Sequence, residues 1–233
     1  MNTLAPSPYQ LARTRLIRLA VYRKARLSLR RRVLDVGAGG GEVAAEMASR
    51  MDRRVWALDL KPDVHEAGGV IPVAGTAAAL PFADGSFDAV AFHFVLLWLN
   101  DPVGCLKEAH RVLVPGGVAM ILSEPDLSRR EDEPDAGLGA ALRVAVRRAG
   151  GHPDAGTRLA GWLEEAGFRP DLSETPGEWV SIEDPRETQW EIDFLVSTGT
   201  LDSEEGARLR EAIEIGRPAR VRLPIVFGCG PRP

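Results

Sequence analysis

The sequence predicts an α/β fold built around a parallel β-sheet. From residue 33 onward, short apolar segments alternate with segments whose apolar residues recur at helical spacing. This alternation is typical of strand–helix–strand units with right-handed crossovers. A glycine-rich turn joins the first strand directly to the first helix of this region. The 233 residues are 45% hydrophobic and 27% charged, which excludes a largely disordered chain.

Seven strands are predicted from short apolar or β-branched runs that end at glycine, proline or acidic residues. They cover residues 33–36, 55–60, 70–74, 87–95, 118–123, 168–174 and 221–227. The fourth run is almost wholly apolar, so we expect this strand to be covered on both faces. Ligands of parallel sheets bind beyond the carboxyl ends of the strands, and the loops there are the places to look for chemistry.

Helices are predicted where apolar residues recur on one face. They cover residues 41–50, 101–113, 136–149, 156–166, 185–198 and 203–215. The second of them has a clear start, with Asp101 as N-cap and Pro102 at the first helical position. The acidic stretch 131–139 carries glycine and proline and is predicted to be a loop. The last two helices, within about residues 184–216, are predicted to form a lid.

The N-terminal segment, residues 1–32, is strongly basic. It contains arginine and lysine but no acid, although the whole chain has a net charge of −4. We interpret it as a basic helical segment lying against an acidic body formed by residues 33–233. A basic arm that binds an anionic partner is the alternative.

Several classes of protein are disfavoured by simple counts. The two cysteines, Cys105 and Cys229, lie far apart and form neither a disulfide framework nor a metal-binding motif. The longest apolar run, residues 89–99, is far shorter than the ~20 residues that span a bilayer. No secretory signal pattern occurs near the start. We therefore expect a cytoplasmic protein with no bound metal and no membrane partner.

The strongest chemical signal is the segment VLDVGAGGG at residues 33–41. A strand runs into Gly37, Gly39 and Gly41 and then into a helix, which lets the backbone approach a ligand and offers it free N–H groups. A dinucleotide fingerprint needs Gly or Ala where this chain has Glu42. The acid that precedes the glycines, Asp35, can receive the ammonium group of a ligand or organise the loop. The segment therefore favours an adenosyl ligand over a dinucleotide.

Asp59 ends the second strand, about 20 residues after the glycines. A carboxylate at this position accepts hydrogen bonds from ribose hydroxyls. Capping of the turn at Pro62 is the alternative interpretation. The glycine turn upstream favours the ribose role.

Five segments together resemble the class I S-adenosylmethionine-dependent methyltransferases, in the type 11 branch that includes ubiquinone and menaquinone biosynthesis enzymes. These segments are residues 33–41, 55–60, 75–82, 84–90 and 111–117. The resemblance covers about residues 30–125. It implies a doubly wound, Rossmann-like sheet of seven mostly parallel strands with helices on both faces. It also implies S-adenosyl-L-methionine as cofactor and a small-molecule acceptor.

The resemblance further implies a set of cofactor-binding residues. Asp59 would hold the ribose, Leu60 would pack on the adenine, and His93 would lie beside the methionine group. The whole set is Asp35, Gly37, Ala38, Gly39, Asp59, Leu60, Thr76, Ala77 and His93. Thr76 stands where the family usually has aspartate, so we expect cofactor binding to be weaker by roughly 1–2 kcal/mol, the difference between a charge-assisted and a neutral hydrogen bond.

Methyl transfer is an in-line displacement that depends mainly on holding the two reactants in line. A general base helps only where the acceptor must lose a proton. His93 and Glu124 are the predicted catalytic residues, with Asp126 as an alternative to Glu124. A packing role for His93 and a strand-end turn for the two acids are the structural alternatives. Trp98 is the best candidate for a wall of an apolar acceptor pocket.

Three other functions compete with this prediction. The chain could be a catalytically degenerate scaffold, because Thr76 departs from the family pattern. It could methylate RNA or protein through its basic N-terminus, although the acidic overall charge weighs against a nucleic-acid partner. A nicotinamide dehydrogenase is disfavoured, because Glu42 stands where the dinucleotide fingerprint has Gly or Ala. A monomer and a homodimer both fit, and the acceptor atom is left open.

Overall fold

The computed structural model of the chain describes residues 8–62, 68–182, 184–215 and 219–233. The strands in these ranges are β1 (Val33–Val36), β2 (Val55–Asp59), β3 (Val70–Ala74), β4 (Phe87–His93), β5 (Leu113–Pro125), β6 (Glu131–Glu133), β7 (Asp171–Glu174), β8 (Val180–Ser181), β9 (Arg220–Arg222) and β10 (Ile225–Pro231). The helices are α1 (Pro8–Arg13), α2 (Arg15–Lys24), α3 (Glu42–Met51), α4 (Pro102–Val112), α5 (Leu138–Arg148), α6 (Ala155–Glu165), α7 (Pro185–Ser197) and α8 (Ser203–Ile215).

Seven strands form one sheet in the order β3-β2-β1-β4-β5-β10-β7. The strands from β3 to β5 are parallel, and β10 runs antiparallel to both of its neighbours. Alternate residues of β1 enter different apolar cores, with Val33 in one and Leu34 in the other, so both faces of the sheet are covered. The predicted fold class is confirmed. The strand order reverses between β1 and β4, which is where such sheets bind their ligands.

The last predicted strand, residues 221–227, is two strands in the structure. β10 joins the large sheet, whereas β9 pairs with β6 and β8 in a small antiparallel sheet. Pro224 lies between them and has no amide hydrogen with which to continue a ladder. β6 lies inside the stretch 131–139, which the sequence predicts to be a loop. That prediction was wrong at β6, because the partner strand β9 lies almost 90 residues away and leaves no local signal.

The N-terminal helix α2 packs on β5 and β10 of the large sheet. Basic side chains of this region pair with acids elsewhere, as Arg13–Glu187 at 2.6 Å, Arg18–Glu46 at 2.7 Å and Lys24–Asp171 at 2.7 Å. These contacts favour a helix lying against the acidic body. The domain boundaries stay predictions. Residues 1–7 of the predicted N-terminal segment and residue 216 of the predicted lid lie outside the described residues. No helix in the described ranges is long and apolar enough to cross a membrane.

Candidate active site

The glycine turn after β1 is fixed to the neighbouring strand by its own backbone. The amide groups of Gly37 and Ala38 both donate to the carbonyl of Leu58, at 2.8 and 3.0 Å. Gly37 has φ +70°, and a Cβ there would lie 2.7 Å from Cγ2 of Val95. Only glycine fits such a close approach in this conformation. The backbone therefore forms a tight cradle at the start of α3.

Asp59 is joined to this cradle at the end of β2. One carboxyl oxygen accepts from the amide of Gly39 at 3.0 Å, and the other accepts from the amide of Lys61 at 3.2 Å. The side chain is buried. A carboxylate has about four acceptor positions, so two remain after these bonds. The structure thus brings together the glycine turn and the acid predicted to hold a ribose.

Asp35 is the most unusual titratable group of the cradle. It is buried, and its Oδ2 atom has no hydrogen-bond partner among the described residues. Burial raises the pKa of this carboxyl to about 8, and the charges of Asp59 and Glu42 add to the effect. A buried acceptor without a partner is rare and calls for an explanation, of which a ligand donor is one.

The residues predicted to meet the adenine lie along the ends of β2 and β3. Leu60 is 63% exposed, so its apolar surface is available to a flat ring. Thr76 is also exposed, and its hydroxyl accepts from the amide of Ala78 at 3.3 Å. Ala77 is half-buried. The amide of Gly75 donates to the carbonyl of Asp59 at 3.0 Å, which holds this segment beside the predicted ribose site.

His93 ends β4 in a buried position. Its Nε2 lies 3.1 Å from the hydroxyl of Thr14, and its Nδ1 is buried without a partner in the described part of the chain. Burial lowers the pKa of the imidazole to about 3, and the charge of Arg18 lowers it further. The ring is therefore neutral at physiological pH.

Glu124 and Asp126 are both fully buried near the end of β5, but they do not share an environment. The carboxyl oxygens of Glu124 accept from the amides of Leu96 and Leu97, at 3.2 and 2.8 Å, and so hold the turn after β4. Burial raises the pKa of Glu124 to about 8. Asp126 accepts from the amide of Thr157 at 2.8 Å, at the start of α6. Both acids thus have structural partners.

A cavity of about 60 Å³ lies between the strand ends and α7. Aromatic side chains form much of its lining: Phe94, Trp98, Trp190 and Phe194. The Trp98 and Phe194 rings meet edge to face at 5.7 Å, so α7 closes directly onto the segment after β4. Trp98 was predicted from the sequence to wall an acceptor pocket, and it does line this cavity.

Known proteins resemble this chain in sequence and in fold. A family model described as a methyltransferase domain matches residues 34–121. The demethylmenaquinone methyltransferase of Renibacterium salmoninarum is 36% identical over 136 residues, which are 55% of this chain and 57% of that protein. Residues 34–121 are thus a methyltransferase domain. The matched stretches span about half the length of the curated relatives.

Solved structures resemble nearly the whole length of the chain in fold. A putative methyltransferase from Bacillus halodurans has a TM-score of 0.64 at 22% identity, and the match covers 93% of this chain and 98% of that one. Phosphoethanolamine N-methyltransferase 2 from Haemonchus contortus, solved with S-adenosyl-L-methionine, has a TM-score of 0.59 at 16% identity, covering 93% and 52%. At these identities the likeness shows the fold.

Phe94 lies at the candidate site, and sequence reasoning missed it. It follows β4 directly and has φ +56°, a left-handed conformation that a bulky side chain rarely adopts. Its ring lies 4.9 Å from the ring of His93 and also lines the aromatic cavity. Backbone strain of this kind clusters at functional sites. No local pattern in the sequence signals it, since the conformation depends on the surrounding packing.

An ion pair that sequence reasoning also missed fastens α7 over the cavity. The guanidinium of Arg130 donates to both carboxyl oxygens of Glu191, at 2.8 and 2.7 Å, and also to Asp132 at 2.9 Å. The side chain of Arg130 is 3% exposed, so its charge depends on these partners. The partners come from α7 and from β6, which only the tertiary fold brings together.

Replacing Glu191 with alanine is expected to destabilise the protein by about 3 kcal/mol, because a buried arginine loses one of its two carboxylates. The free energy of unfolding in urea measures this loss. Glu204→Ala is the matched control, since Glu204 pairs with Arg208 at a fully exposed position. We expect the control to cost less than about 0.5 kcal/mol. Equal losses for the two variants would contradict the importance of the buried pair.

No cluster of three or more potential metal ligands occurs among the residues that the structure describes.

Proposed function

We propose that this chain transfers a methyl group from S-adenosylmethionine to a small-molecule acceptor. The observation that carries the proposal is the unpartnered carboxyl oxygen of Asp35, buried beside a glycine cradle to which Asp59 is bonded. An ammonium group fits the first acid, and a ribose fits the second. The exposed Leu60 offers a surface for an adenine ring. These residue types suit each part of the cofactor.

S-adenosylmethionine supplies an electrophilic methyl group and a neutral leaving group. The task of the protein is therefore to hold the acceptor in line with that methyl group, which can provide most of the rate. The cradle at Gly37 would fix the cofactor, while the aromatic cavity would hold the acceptor. Helix α7 would exclude water from the space between them.

We propose a binding role for His93 and a structural role for Glu124, in preference to general base catalysis. An imidazole whose pKa lies near 3 is a weak base at neutral pH. Both oxygens of Glu124 already accept from backbone amides. The catalytic roles of these two residues stay predictions, as does the oligomeric state.

We propose a flat, apolar, aromatic acceptor, such as a quinol ring. The aromatic lining of the cavity supports this class, and the curated relatives are named as demethylmenaquinone methyltransferases. The cavity of about 60 Å³ is less than half of the ~150 Å³ that holds benzene in an engineered cavity. We propose that α7 moves away from Trp98 when the acceptor enters.

Isothermal titration with S-adenosylhomocysteine tests the cofactor site. We expect micromolar binding to the wild type, loss of binding in Asp59→Ala, and none with NADH. Asp88→Ala is the matched control, because Asp88 also accepts from two backbone amides, those of Arg31 and Arg32, but at the opposite edge of the sheet. The control should bind like the wild type.

Absence of binding in the wild type would overturn the proposal and favour a degenerate scaffold. Equal losses in Asp59→Ala and Asp88→Ala would mean that the first variant only destabilises the fold. If binding is found, methylation of menadiol, with RNA as the comparison substrate, tests the acceptor class.

A further inference from the structure

The hydroxyl of Thr14, at the junction of α1 and α2, makes three hydrogen bonds in the interior. It lies 2.7 Å from the carbonyl of Gln10, 2.8 Å from Nη1 of Arg18 and 3.1 Å from Nε2 of His93. Thr14 is 1% exposed, so water does not compete for these bonds. A segment outside the matched methyltransferase region thus reaches the end of β4.

Counting protons at this hydroxyl fixes the tautomer of His93. A hydroxyl has one proton and two lone pairs, and a guanidinium only donates. The 2.7 Å contact to the Gln10 carbonyl has the length of an O–H···O bond, whereas 3.1 Å suits N–H···O. The Thr14 proton therefore goes to Gln10, and His93 donates from Nε2. Its Nδ1 then carries a lone pair and no proton.

Arg18 keeps this arrangement in place. Its Nε donates to Glu46 of α3 at 2.7 Å, and its Nη1 also donates to the carbonyl of Leu11 at 2.9 Å. The guanidinium is thereby held beside Thr14 with its donors pointing at fixed acceptors. A fixed positive charge close to the imidazole opposes a second proton on the ring.

The free lone pair of His93 lies on the same face of the sheet as the free oxygen of Asp35. Asp35 pairs with Ala91 in the parallel register of β1 and β4, and His93 follows two residues later on β4. Side chains two residues apart share a face of a strand. Two unpartnered buried acceptors at the ends of adjacent strands suit a single ligand group with several donors, and a primary ammonium is such a group.

We propose that Thr14 and Arg18 are positioning residues that hold His93 as the Nε2–H tautomer, so that its Nδ1 accepts from the ammonium group of the adenosyl ligand together with Asp35. The ligand half of this inference rests on the proposed function. The tautomer half concerns the free protein alone. The N-terminal helices thereby become part of the ligand site.

Long-range ¹H–¹⁵N spectra of the histidine rings test both halves, with His93→Gln to assign the signals. In the free wild type we expect a proton on Nε2 and an unprotonated Nδ1 from pH 5.5 to 8. Thr14→Val should give a mixture of tautomers, whereas Thr14→Ser, which retains the hydroxyl, should match the wild type. A protonated Nδ1 in the wild type, or an unchanged tautomer in Thr14→Val, would overturn the positioning role.

Two ligands then test the ammonium contact. S-adenosylhomocysteine should shift the Nδ1 resonance, whereas 5′-methylthioadenosine, which lacks the amino-acid part, should not. Thr14→Val should weaken S-adenosylhomocysteine binding about tenfold, the value of one hydrogen bond to a charged group. Tight binding without a shift at Nδ1 would overturn the contact while the proposed function stands. Absence of binding would remove the function, and the spectra of the free protein would still decide the tautomer.

Discussion

Replacing Gly37 with alanine is expected to reduce the affinity for S-adenosylhomocysteine by at least 100-fold and to lower stability as well. The new Cβ would lie 2.7 Å from Cγ2 of Val95, so the cradle or the segment after β4 must move. Alanine also pays about 1–2 kcal/mol for the left-handed conformation at φ +70°. The clash displaces the same backbone that we expect to face the methionine group.

Gly116→Ala separates the cost of the left-handed conformation from the cost of the clash, because Gly116 has φ +76° and open space around its Cβ position. This control should lose about 1–2 kcal/mol of unfolding free energy and keep full affinity. The double variant of Gly37→Ala with Val95→Ala removes the clash and should recover much of the binding. Titration calorimetry and urea unfolding measure both quantities. Normal affinity in Gly37→Ala would place the ligand elsewhere.

Replacing Asp35 with asparagine is expected to stabilise the protein above pH 7 while weakening ligand binding by about 10- to 100-fold, the value of a charge-assisted bond. The pKa of Asp35 is about 8 in the folded protein, against an ordinary 3.8. The folded state therefore keeps a proton that the unfolded chain has released, and stability falls as pH rises from about 4 to 8. Asparagine removes this dependence.

The affinity of the wild type for the ligand should rise with pH, whereas its stability falls. An ammonium ligand favours the ionised carboxylate, so binding should strengthen by up to about tenfold per pH unit between pH 5.5 and 7. Urea unfolding measures the stability of the wild type and of Asp35→Asn across this pH range, and titration calorimetry measures their affinities. A wild-type affinity that is flat with pH would contradict the pairing of Asp35 with an ammonium group.

The local sequence determined most of the central sheet and the glycine cradle with its two acids. The glycines at residues 37, 39 and 41 permit a tight turn, and the acids Asp35 and Asp59 lie at or next to the ends of short apolar strands. Such features depend on neighbours in the chain, so their physical consequences are visible in the sequence. The five parallel strands then bring both acids to one edge, as their order along the chain implies.

The tertiary structure alone decided the aromatic cavity and the environment of His93. Arg130 and Glu191 form a buried pair although they are 61 positions apart in the chain. Thr14 contacts His93 across 79 positions. Their pairing depends on where α7 and the N-terminal helices pack, which no spacing in the sequence encodes. The low pKa of His93 has the same origin, because burial rather than residue type sets the cost of its charge.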